Sequence, residues 1–192
     1  YNSKCIFLGT SSEGFTGQIY IYTGIEQLDF SSHDMAYWTG MSENPAGYEL
    51  DFKTYDEVER AYEGDALMNF ELNVLNHLIS HFNGVKVFEK TFNMSDLKGG
   101  KIGFTYKDNS NFTTWPEHSG IKAQIDAHQN VTRNYEGTVE NFAATIIIHE
   151  WYSHGKYKIG NEFGNHYKAY ENVKKDRLFY PKTTENYKKM IE

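Results

Sequence analysis

The sequence is poor in cysteine and proline: of 192 residues, one is cysteine (Cys5) and three are proline. A single cysteine excludes an internal disulfide and a cysteine-built zinc knuckle, so any bound metal has to be held by His, Asp or Glu. So little proline, beside fifteen Tyr and thirteen Phe, excludes the composition of a disordered chain and indicates a packed globule. No apolar run approaches the roughly 20 residues needed to span a bilayer, and the stretch from Tyr1 to Thr10 lacks the charged-then-apolar order of a secretory signal. Basic charge is also short. Nineteen Lys and Arg stand against twenty-six Asp and Glu, a net charge of −7, and the basic residues are scattered apart from pairs such as Lys174-Lys175 and Lys188-Lys189. With no basic stripe to meet a phosphate backbone, nucleic acid is not the expected partner. An initiator Met is missing too; the chain opens on Tyr1, as expected of the C-terminal part of a longer polypeptide. The length and a hydrophobic content of 39% predict one domain, 1–192, with its own core.

The remaining pattern predicts an α+β fold. Gly17 to Gly24 is an aromatic and β-branched run between glycines, as in a short strand, and 85–88 and 101–106 read likewise. Across 120–128 apolar and polar side chains alternate, predicting a strand with one buried face. From Tyr55 to Phe82 the apolar spacing changes to three and four, that of an amphipathic helix stopped by Asn83-Gly84. The run from Val139 to Ile148 is apolar on several sides, as in a buried helix, although its β-branched residues also suit a strand. A further helix is predicted over 164–175, carrying His166, Ala169, Tyr170 and Val173 at helical spacing.

The buried run ends in His149-Glu150-Trp151-Tyr152-Ser153-His154. Ionisable groups there are costly unless they pair or coordinate. Zinc takes neutral imidazoles in a tetrahedral shell, and a hydrolytic site keeps three protein ligands and leaves the fourth position for water, whose proton an adjacent Glu can accept. His149, His154 and His166 are the candidate ligands and Glu150 the candidate base. Glu171 is a candidate for holding a ligand imidazole, or for third ligand in place of His166. The familiar H-E-x-x-H motif spaces its histidines by four, whereas these are five apart. Five steps of about 100° set two side chains about 140° apart on an ideal α-helix, so a π-bulge between Glu150 and His154 is expected to bring them onto one face. The plain alternative is a helix end with Gly155 beyond the cap. His77 and His81, four apart without a Glu between them, read as a core edge or a solvent face, and an isolated His128 as a candidate cleft residue. Tyr152, Tyr157 and Tyr170 are candidate oxyanion donors.

H-E-x-x-x-H resembles the metal motif of the dipeptidyl-peptidase III zincins, whose third ligand is a Glu within E-E-x-x-A-E on a later helix. The matching place here is Asn165-His166-Tyr167-Lys168-Ala169, where His166 replaces the Glu and the Ala is kept. More broadly, Ile147, His149-Glu150, His154-Gly155, Asn165-His166, Ala169-Tyr170 and the run from Pro181 to Lys188 resemble the metallopeptidase-type toxin domains at the C-termini of Rhs-like polymorphic toxins of bacteria. That resemblance implies a zincin-like fold, with a small antiparallel or mixed sheet packed on an active-site helix and a following ligand helix. It further implies delivery into a target bacterial cell as part of a larger secreted toxin, and neutralisation by a cognate immunity protein.

Zinc-dependent hydrolysis of a peptide or protein substrate is therefore expected, with a strand near Ile121 to His128 beside the active helix and able to pair with an extended peptide. Two alternatives stand beside it. One is a non-catalytic binding module with a structural metal site, and the other a metal-dependent nuclease, which the acidic balance disfavours.

Overall fold

The computed structural model describes residues 1–10, 14–24, 52–62, 64–97, 100, 105–107, 111–113, 122–125, 131–132, 135–160 and 164–192. The fold is α+β, with helices and small antiparallel sheets. Strand β1 (Tyr20–Tyr22) pairs with β2 (Phe52–Thr54), Ile21 opposite Lys53. Helix α1 (Tyr55–Glu59) follows at once, because Thr54 and Glu57 form a reciprocal capping box. Helix α2 (Gly64–His81) buries Leu67, Phe70, Val74, Leu75, Leu78 and Ile79, the stripe that the spacing predicts. The single helix expected over 55–82 is thus two, interrupted by a turn at Arg60 and Ala61. Strands β3 (Lys86–Val87) and β4 (Lys90–Thr91) form a hairpin.

Strands β5 (Thr105–Lys107), β6 (Asn111–Thr113), β7 (Lys122–Ile125) and β8 (Val131–Thr132) make an antiparallel sheet in chain order. The strand expected near Ile121 to His128 is β7. It lies inside the sheet, with Gln124 paired with Asn111 on one side and Thr132 on the other. Where both edges are taken, as at Gln124, no backbone row is left for a peptide. Ile121, His128 and the part of the expected 101–106 strand before Thr105 lie outside the described residues.

The segment that carries the site begins at Gly137. A Cβ there would come 2.5 Å from the Tyr55 ring, so only glycine lets the chain pass this close. Its N–H donates to the Asp56 carboxylate at 2.9 Å, and Thr138 then caps α3 (Val139–Ala143). Without a break the chain widens into a π-helix, Ala144–Lys156. Ala144, Ile146, Ile147 and Ile148 are fully buried and share one apolar core with Ile21, Tyr55, the α2 residues Phe70, Val74, Leu75, Leu78 and Ile79, and with Phe142 and Tyr187. Trp151 anchors the far end, its indole N–H donating to Asp96 at 3.0 Å and its ring lying edge-on to Phe92. Helix α4 (Tyr167–Lys175) packs along the π-helix, and α5 (Glu185–Met190) brings Tyr187 against its start, where Thr145 donates to the Tyr187 hydroxyl. Among the described residues no helix is long and apolar enough to cross a membrane.

Candidate metal centre

In a π-helix the backbone hydrogen bonds run i→i+5, which brings residues five apart onto one face. The widening is longer than the single bulge expected from the sequence, thirteen residues in place of one, but it has the expected effect. His149 and His154 come onto one face with their Nε2 atoms 3.2 Å apart. His166, immediately before α4, meets them from the second helix, its Nε2 3.0 Å from that of His149. His149 and His154 are buried and His166 is half-buried.

The donor set fits a metal ion. Bonds of about 2.0–2.1 Å in a tetrahedral shell place neighbouring ligand atoms about 3.3 Å apart, close to the separations seen here. Hydrogen bonding explains them less well. The Nδ1–H of His154 donates to the carbonyl of Ile159 at 2.5 Å, which leaves its Nε2 as a bare lone pair when the ring is neutral. A proton on His149 Nε2 can then serve one of its two imidazole neighbours, whereas a cation serves all three. Such a carbonyl, fixing tautomer and ring orientation, is the usual companion of a ligating imidazole. The Nδ1 of His149 has no hydrogen-bond partner among the described residues.

Burial, with His154 and His166 adding to it, holds the His149 imidazole well below its usual range, so it is neutral and ready to ligate near pH 7. The unfolded chain takes up this proton at about pH 6.5 and the metal-free folded chain only well below that, so stability is present above that pH and lost as pH falls. We expect the chelator-treated protein to lose up to about 1.4 kcal/mol per pH unit below about 6.5, and His149→Gln to flatten that slope in urea titrations.

Glu150 lies beside the cluster, its Oε1 4.0 Å from His149 Nε2 and its side chain one-fifth exposed. Of the three candidate tyrosines, Tyr170 is the one at the site, its ring 4.6 Å from His149 and 5.1 Å from His166. Burial and the nearby Glu150 charge raise its hydroxyl pKa, so it keeps its proton. Tyr152 turns elsewhere, its hydroxyl on Glu89 and its ring between Phe88 and Tyr157. Glu171 is directed to Lys174, 3.7 Å away and half exposed, and the cluster consists of the three histidines. His77 accepts or donates at 2.9 Å with the Tyr1 hydroxyl and stacks on Phe7, and His81 stacks on Phe15, the core-edge reading of that pair.

Against known proteins, the chain has no significant match to a family model, a curated protein or a solved structure.

One contributor to the site has no sequence signature: the Ile159 carbonyl that holds His154 could belong to any residue. The Ile159 carbonyl is aimed by a strained turn in which Lys158 has φ +55°. This left-handed conformation costs a side-chain-bearing residue roughly 1–2 kcal/mol. Lys158→Gly is expected to stabilise the fold by about 1 kcal/mol, read as a rise in Tm of about 2–4 °C.

Proposed function

We propose that the protein is a zinc-dependent hydrolase of metallopeptidase type with a zincin-like site. The observation that carries this reading is the convergence of His149, His154 and His166 Nε2 beside the Glu150 carboxylate. Three imidazoles would hold the ion and leave its fourth position to water, and the pairing of Glu171 with Lys174 supports an open, catalytic site over a closed, structural one. When bound, zinc supplies Lewis acidity, lowering the pKa of water and polarising a carbonyl.

The chain's own groups do the rest. Glu150 accepts the proton of the attacking water at its carboxylate and passes it to the departing amine nitrogen, so that the C–O bond forms and the C–N bond breaks with protons balanced. The Tyr170 hydroxyl is a donor available to the carbonyl oxygen as charge builds there. His154, held by Ile159, keeps its Nε2 aimed at the centre.

The substrate class is a peptide or protein amide. By its resemblance to the toxin domains of Rhs-like polypeptides, the domain acts inside a target bacterial cell and is held in check by a cognate immunity protein. The test is incubation of the zinc-loaded protein with a mixed peptide library and mass spectrometry of new termini. New termini that vanish with chelator and return with zinc support the reading; a zinc-loaded protein that produces none overturns it.

A further inference from the structure

Between the two ligand-bearing helices lies a hydrogen-bond chain that the proposed chemistry does not use. The Ser153 hydroxyl, fully buried, donates to the Ile148 carbonyl at 2.9 Å. The Asn172 side-chain amide on α4 donates in turn to the Ser153 oxygen at 3.0 Å. Ile148 and Ser153 are five apart, and each immediately precedes a candidate ligand, His149 and His154 respectively. Asn172 lies six residues after the third, His166, on the half-buried side of α4. The chain therefore joins, in two bonds, the backbone at one histidine, the turn at the next and the helix that presents the third.

We infer that Asn172 and Ser153 are positioning residues that hold the π-helix register and its distance from α4, so that the three imidazoles converge on one point. The inference rests on the metal-site reading above. Its physical basis is direction. A hydroxyl has one proton, and Ser153 spends it on Ile148; the amide of Asn172, a donor, leaves that proton free to do so. A carboxylate at 172 would instead accept it and release the Ile148 carbonyl.

The experiment is zinc affinity by chelator competition on the full chain, for the parent, Asn172→Ala, Asn172→Asp, Ser153→Ala, the Asn172→Ala/Ser153→Ala double variant and the exposed-site control Lys175→Ala, with circular dichroism of each. Outer partners of metal ligands are worth about 10–100-fold in affinity. Asn172→Ala, Ser153→Ala and, despite its near-identical shape, Asn172→Asp are expected to weaken zinc by that factor, with Lys175→Ala at the parental value. Because both single alanine changes break one chain, the double variant is expected to be little weaker than either alone. Should Ser153→Ala fail to fold, the half-buried position 172 still decides the matter. Parental affinity in both Asn172 variants overturns the clip and leaves the metal site standing, whereas a parent that binds no zinc overturns the metal site itself and the clip with it.

Discussion

Glu150→Gln is expected to lower kcat/KM for peptide cleavage by about 10²–10⁴-fold while zinc content stays at the parental level. The amide keeps the volume and hydrogen-bonding reach of the carboxylate but cannot accept the proton of the attacking water. Since Glu150 reaches no closer than 4.0 Å to the His149 nitrogen and is not one of the three converging ligands, its replacement leaves them in place. The same comparison in cells expressing the domain is expected to separate a harmful parent from a harmless variant. A Glu150→Gln protein that binds zinc and cleaves at the parental rate would remove Glu150 from the chemistry.

The second large effect is on stability. A ligand that binds only the folded chain adds RT ln(1 + [L]/Kd), about 4 kcal/mol at a thousandfold excess over Kd. For a domain of this size that is a rise in Tm of about 8–16 °C. The gain is expected in the parent and absent in His149→Ala and His154→Ala, because those rings come from the buried π-helix and have no nearby substitute among the described residues. A parent whose melting temperature ignores zinc, at concentrations where the ion is shown to bind, would mean that the ion sits elsewhere or binds the unfolded chain equally well.

Most of the converging cluster is legible because His149, Glu150 and His154 are close in sequence and expensive to bury. For His149 and His154, five steps apart, to share one face, a widened i→i+5 turn has to lie between them, the sequence alternative being a helix end with Gly155 beyond the cap. The spacing does not say how far the widening extends. That depends on the core that Ile146, Ile147, Ile148 and Trp151 share with residues of α2, α4 and α5, which is tertiary information. The strand or helix ambiguity of Val139 to Ile148 resolves as helix, its start capped by Thr138. Helix α2 followed its periodicity, but the break before it did not, since Tyr55, Val58 and Tyr62 continue the apolar spacing through the turn. What the sequence could not show are the groups that meet across distance: the Ile159 carbonyl on His154 and the Asn172 to Ser153 bond, each made by ordinary residues until the fold places them.

The most direct test of the metal centre is the zinc content of the purified domain, reconstituted with zinc and dialysed, measured beside His149→Ala and His166→Ala of verified fold. About one zinc per chain is expected in the parent, as a single three-imidazole site requires, with loss of that zinc in both variants. A folded parent that retains no metal, or variants that retain it, would contradict a site built from these three histidines.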